Sequence, residues 1–222
     1  ISACLVGSEM CIRDSNKVSF EHKVKACVMY MAGLSYRGMT VASGLIPSSH
    51  VAVYYWVQKL KGLVRGCASE VKERRAVAVD ETKMKVNGEQ LYVWAAIDVD
   101  SREVLAVDAS WQRSIMNAEH VLKKALRLCF SKPLILVDKG PWYPDALSNL
   151  GLPWMHITRG PRNRVERWFR TLKERTRRFY NNIPSRKRGI QSLKLFLETF
   201  TYWYNNLRTH QTLKRPPTQT LS

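Results

Sequence analysis

From Phe20 to Leu60 the chain reads in helical periods. In HKVKACVMYMAGL the apolar positions Val24, Cys27, Val28 and Met31 recur three and four apart and stop at Gly33, which predicts a helix with a glycine stop. SYRGMTVASGL predicts a short second helix, capped by Ser35 and ended by Gly44. PSSHVAVYYWVQKLKG predicts a third, capped by Ser48 or Ser49 and running through Trp56 to Lys61. The next stretch, KGLVRGCASEVKERR, is charged, carries two glycines and reads as a linker. At Ala76 the period changes. AVAVDET is a short apolar strand ending in a carboxylate, QLYVWAAIDVD follows an Asn87-Gly88 turn signal, and EVLAVDAS follows Ser101-Arg102. Three strands joined by tight turns predict an antiparallel meander. NAEHVLKKALRLCF returns to helical spacing, PLILVD is a buried strand, YPDALSNLG a short helix ending at Gly151, and PWMHIT a candidate fifth strand. RNRVERWFRTLKERTRRFYNNI and IQSLKLFLETFTYWYNNLRTH complete the pattern as two helices before Pro216-Pro217.

Three strands, helix, strand, helix, strand, helix is a mixed α/β order, and it resembles that of the ribonuclease-H-like fold. The three N-terminal helices resemble a helix-turn-helix unit, with an ordinary helical cap as the alternative.

Charge narrows the partners. The chain of 222 residues carries 36 Lys and Arg against 18 Asp and Glu, a formal +18. A chain that basic is expected to meet a polyanion. No apolar run reaches the roughly 18–20 residues of a membrane span, and basic residues alternate with aromatics, so DNA is expected and membrane is not. Cys27, Cys67 and Cys129 are isolated, without metal-site or disulfide spacing, and read as small core residues of a cytoplasmic protein. His156 and His210 are isolated too, so hydrolase triads find no support.

Asp80 and Asp138 each follow an apolar run, which places them at strand C-terminal ends, where open α/β sheets put their sites. Glu166 sits in an arginine-rich helix and joins them if that helix crosses the same edge. Each also has a bland reading: a turn or cap for either aspartate, and an i,i+4 pair with Arg170 for Glu166. Three converging acids repel unless a cation lies between them, and carboxylate oxygens suit Mg²⁺ or Mn²⁺. Two such ions would serve phosphodiester displacement. Glu81 neighbours Asp80 but is expected on the other strand face. Asp98 and Asp100 read as turn or edge residues. Arg159 to Arg188 holds twelve basic residues against Glu166 and Glu174. Within it Arg170, Lys173 and Arg177 share a helix face with Glu166 and are expected to hold a DNA backbone, a solvated face being the alternative. Trp142 and Tyr143 either stack on an unpaired base or pack in the core.

VDET, VDKGPWYPDAL and RNRVERWFRTLKERTRRF resemble the three acidic motifs of DDE transposases from prokaryotic insertion sequences, in the integrase-like superfamily. The likeness runs from about Lys17 to Ser222 and includes YWYNNLRTHQTLKRPP. It implies a ribonuclease-H-like catalytic domain, Asp80, Asp138 and Glu166 as a catalytic, metal-binding triad, two Mg²⁺ or Mn²⁺ ions, and joining of element ends to target DNA. A homodimer or larger assembly is implied as well. The organisation expected is a helix-turn-helix-like DNA-binding domain at 16–62, a linker at 63–75 and an integrase-core catalytic domain at 76–222. Ser49, Tyr55 and Lys59 are the expected readers of element ends. Two departures stand out: only 27 residues separate Asp138 from Glu166, and Lys139 follows Asp138 directly. They keep open a catalytically inactive DNA-binding remnant, and a nuclease of the same fold is the other alternative.

The opening ISACLVGSEMCIRDS fits neither reading. Back-translated in one frame, Leu5 to Ser15 resembles an adapter used in preparing sequencing libraries, so residues 1–15 are expected to be non-native. Without them the charge is +19, from 35 basic and 16 acidic residues.

Overall fold

The computed structural model describes residues 18–64, 70–157, 160, 163–177, 182–183 and 189–219. The stretch expected to be non-native, 1–15, lies outside them. Helix α1 (Phe20–Ala32) begins at Ser19, whose Oγ accepts the His22 amide, and stops at Gly33, where φ of +122° suits glycine alone. The second expected helix is a single π-helical turn (Gly38–Ala42). Thr40 turns its hydroxyl back onto the Tyr36 carbonyl, a bond that bends helices. Helix α2 (His50–Val64) follows, with Ser49 Oγ accepting the Ala52 amide at 3.2 Å.

A mixed sheet forms the centre, built from β1 (Ala76–Val86), β2 (Glu89–Asp98), β3 (Val104–Ser110), β4 (Leu134–Val137) and β5 (Trp154–His156), with β6 (Asn182–Ile183) pairing the last residues of β1. The order is β3-β2-β1-β4-β5; β1 runs antiparallel to β2 and parallel to β4. One expectation needs correcting here. The first strand does not end at Asp80 but continues through Val86 to the Asn87-Gly88 turn, both residues at positive φ. Met84 and Val86 are buried while Lys83 and Lys85 are exposed, a period-two pattern that ETKMKV carried in its sequence.

The two sheet faces follow from alternation. Val77, Val79, Trp94, Ala96, Ile135 and Val137 pack with α3 (Ile115–Leu126) and α4 (Tyr143–Asn149). Ala76, Ala78, Met84, Val93, Ala95 and Leu136 pack on the other side with α5 (Asn163–Thr176) and α6 (Gly189–Asn206). The N-terminal helices belong to that second cluster: Ala26, Met31, Val53 and Val57 share it with Trp168, Leu197 and Phe200. The stretch read as a linker is also tied in from Lys72, which bridges to Cys129, and through Arg74, buried between Asp98 and Glu103. Among the described residues no helix is long and apolar enough to cross a membrane.

The edge strand β3 is covered by α6. The buried Asn205 amide accepts the Val104 N–H and donates to the Val104 carbonyl, both at 2.9 Å, replacing the missing strand partner. Asp108 is held by Lys194 at 2.8 Å and His120 at 2.9 Å. Beyond α6, burial first and then the charges of Arg102, Arg208, Arg167 and Arg164 push His210 down to about 4. Because that lies below the unfolded value, the unfolded chain takes up this proton first, and stability falls as pH drops from about 6.5 towards 4. His210→Gln is expected to flatten this part of the stability–pH curve, measured by urea unfolding at a series of pH values.

Candidate active site

The parallel register of β1 and β4 builds the site. Ala78 faces Leu136, the last pair of the ladder. Two residues further on each chain stand Asp80 and Asp138, on the same face and past the end of β4. With Glu81 they form the group whose carboxylate oxygens all come within 4.8 Å of one another. Asp80 is 6% exposed, the other two half-buried. Local amides orient both aspartates: Asp80 Oδ1 accepts the Glu81 N–H and Asp138 Oδ1 the Gly140 N–H, each at 2.9 Å.

Glu166 stands outside this trio of acids and across a cleft from it. Asp80, Glu81 and Thr82 form one wall; Glu166, Phe169, Arg170, Lys173, Glu174 and Arg177 of the α5 region form the other, around about 560 Å³. Asp80 and Glu81 are common to the carboxylate group and the cleft. The short connection from Asp138 still delivers Glu166 to the cleft, and Lys139 is exposed and is not among the lining residues. Glu166, Arg170, Lys173 and Arg177 share the cleft side of the helix, while Val165, Trp168 and Leu172 are wholly buried in the core.

Glu81 is the residue that sequence reasoning set aside. Its side chain does leave the opposite face of β1, but beside it no β4 residue continues the ladder, so the carboxylate reaches past the open edge towards Asp138. There Oε2 accepts the Tyr143 hydroxyl at 2.8 Å, and Oε1 lies 3.5 Å from Arg113. Burial pushes the Glu81 carboxyl up; the Tyr143 hydrogen bond opposes this, while Asp80 and Asp138 add to it. Arg113 is held between the rings of Tyr92 and Trp142, 4.7 and 4.6 Å from their centroids. A Cβ on Gly140 would meet the Trp142 ring at 2.8 Å, so glycine lets that ring lie on the Asp138 loop. No periodicity signals this set, because it joins residues from β1, the β3–α3 turn and α4. Tyr143 is fully buried, which removes it as a base-stacking residue; Trp142, half-buried, packs on Arg113 and Trp94. Tyr143→Phe leaves the half-buried Glu81 carboxylate without its donor and is expected to cost about 2 kcal/mol. Urea unfolding of this variant, Glu81→Gln and the pair measures it, with non-additive losses expected.

The N-terminal candidates lie on α2. Ser49 caps the helix, while Tyr55, 60% exposed, and Lys59, also exposed, lie one turn apart on its solvent side. Val53, Trp56 and Val57 fill the buried side.

Comparison with known proteins finds a family and several relatives. A family described as a DDE domain matches residues 74–210. An uncharacterised protein of Methanocaldococcus jannaschii is 37% identical over 191 residues, spanning 86% of this chain and 88% of its own. An uncharacterised protein of Aquifex aeolicus is 44% identical over 72 residues, 32% of this chain and 58% of that one. Among solved structures, a chain of the simian T-cell lymphotropic virus intasome in complex with the PP2A regulatory subunit B56 gamma superposes with a TM-score of 0.52 at 16% identity, over 88% of this chain and 72% of that one. That likeness concerns the fold. The family match covers the whole sheet with both aspartates, Glu166 and the closing helix, and the chain therefore belongs to the DDE transposase family.

Proposed function

We propose that the chain cleaves DNA strands at element ends and joins them to target DNA in a divalent-metal-dependent reaction. The observation that supports this most is the register that sets Asp80 beside Asp138, opposite a cationic helix that carries Glu166. The donors fit a hard cation: all are carboxylate oxygens, and Asp80 and Asp138 approach closely enough to share one. Asp80, Asp138 and Glu166 are the residues assigned to hold Mg²⁺ or Mn²⁺, with two ions expected. When bound, such ions lower the pKa of an attacking water or 3′-hydroxyl and neutralise charge on the leaving oxygen. Glu81 is engaged with Tyr143 and Arg113 and is left outside this set.

The chain's own part is positioning. Water opens a phosphodiester and releases a 3′-hydroxyl, which then attacks the target phosphodiester, so bonds broken and formed balance without a covalent protein intermediate. Arg170, Lys173 and Arg177 hold the backbone over the acids. Each neutralised phosphate contributes about 0.9 to the slope of log affinity against log salt. Replacing all three by Gln is therefore expected to lower the slope by roughly 2.7, read by anisotropy on a labelled duplex. Ser49, Tyr55 and Lys59 on α2 are assigned to end recognition, and a homodimer or larger assembly to synapsis of two ends.

The test is a strand-transfer assay with Mg²⁺ or Mn²⁺ on a labelled element end. Joined product is expected. Hydrolysis alone would make the chain a nuclease, and duplex binding without any cleavage an inactive remnant.

A further inference from the structure

The cleft does not account for all the positive charge on α5. Arg164 and Arg167 stand on its first turns, at the end where the backbone dipole is already positive and a cation is disfavoured. Their charges act on Arg102, in the β2–β3 turn, and together with Arg208 on His210. Arg102 is 8% exposed, and one terminal nitrogen lies 3.3 and 3.2 Å from Nδ1 and Nε2 of His210. Equal approach to both ring nitrogens is contact with the ring, not a bond aimed at one lone pair. The ring is no counter-charge, because Nδ1 already accepts the Thr212 amide at 3.1 Å. Arg208 lies over the Tyr204 ring at 5.4 Å.

Among the described residues, none of these four guanidinium groups is paired with a carboxylate, and Nε of Arg164 is buried without a hydrogen-bond partner. The contrast within the same molecule is Arg74, buried like Arg102 but held by two carboxylates at 2.7 Å. Four like charges around a neutral ring, at a positive helix end, lower their mutual energy by taking up an anion. Helix α5 is about 20 Å long, and its cations continue from this cluster into the cleft. A polymer with regularly spaced phosphates matches that run, whereas a small anion meets only one end of it.

We infer that Arg102, Arg164, Arg167 and Arg208 form a second binding site for backbone phosphates of DNA, adjoining the catalytic cleft at the N-terminal end of α5. The inference rests on the DNA-processing function proposed above, with contacts separate from Arg170, Lys173 and Arg177. Arg167 is exposed and meets the strand first; Arg164 and Arg208 are half-buried, and Arg102 lies beneath them.

The experiment is fluorescence anisotropy of the full chain with a fluorescein-labelled 30-base-pair duplex of arbitrary sequence, between about 50 and 300 mM KCl. For Arg164→Gln/Arg167→Gln, the slope of log affinity against log salt is expected to fall by roughly 1.8, and affinity at low salt about tenfold or more. Arg208→Gln is expected to lower the slope by about half as much. Arg127→Gln, an exposed arginine just past α3 on the other side of the sheet, should change neither. Thermal unfolding of each variant with inorganic phosphate runs in parallel, and little stabilisation is expected. Unchanged slope and affinity in the cluster variants, with normal wild-type binding, would overturn the inference and leave the catalytic reading intact. Stabilisation of the wild type by phosphate that these variants lose, without a change in duplex binding, would make the cluster a small-anion pocket and overturn it too. Duplex binding that depends on the cluster, in a chain that never cleaves, would uphold the site and sink the catalytic reading. No binding at any salt would overturn both.

Discussion

Asp80→Asn is expected to reduce metal-dependent cleavage and strand transfer by at least about 10³-fold, while duplex affinity stays within about twofold or tightens slightly. Asparagine keeps the shape of the side chain and an oxygen for the Glu81 amide, which Asp80 Oδ1 now accepts. What it loses is a negative charge that belongs to both the carboxylate group and the cleft lining. In the proposed function the phosphates are held by cations on the opposite wall, so loss of an anion is not expected to weaken binding. Asp80 is buried beside two other acids, so unfolding without added metal is expected at the same or a higher temperature. An inactive, well-folded, DNA-binding variant distinguishes a reacting group from a structural one. Retained cleavage in Asp80→Asn would remove Asp80 from the mechanism.

Arg74→Ala has the largest effect expected on stability, about 3–5 kcal/mol. The side chain of Arg74 is 2% exposed and bridges Asp98 and Glu103, whose side chains are 6% and 2% exposed. Ser101 adds a hydroxyl bond to Asp98 at 2.6 Å. Removing the guanidinium leaves two buried carboxylates facing each other at the start of β1, two residues ahead of Ala76. Arg74→Lys is expected to recover only part of the loss, because an ammonium cannot span two carboxylates as a planar fork does. Arg74→Met combined with Asp98→Asn and Glu103→Gln removes all three charges and is expected to recover most of it. Urea unfolding of the set measures these differences. A loss below about 1 kcal/mol for Arg74→Ala would show the network to be no stronger than a surface pair.

Much of the architecture was legible from residue order alone. Gly33, Ser49 and the Asn87-Gly88 turn lie where glycine stops, helix capping and left-handed turns require them. The spacing of Val165, Trp168 and Leu172 against Glu166, Arg170 and Lys173 divides α5 into a core side and a cleft side, as three- and four-residue steps on a helix dictate. Asp80 and Asp138 were legible as carboxylates after buried runs. These features depend on neighbours within one turn or one strand, which is all that periodicity encodes.

Other features depend on where one element stops beside another. That β1 runs six residues past Asp80 while β4 ends at Val137 lets Glu81 come round the open edge to the Asp138 loop, against a reading from alternation alone. Asp98, taken for a turn residue, is one side of a buried ion network because β2 ends beside Arg74, 24 positions earlier. The N-terminal helices share a hydrophobic cluster with α5 and α6, a contact between the two ends of the chain. Arg102 and His210, separated by 108 positions, meet only through packing of α6 on β3. The sequence by itself determined the elements, their faces and the residue types of the candidate site. Only tertiary structure decided which charges lie together, because burial and Coulomb energy depend on distances between segments far apart in the chain.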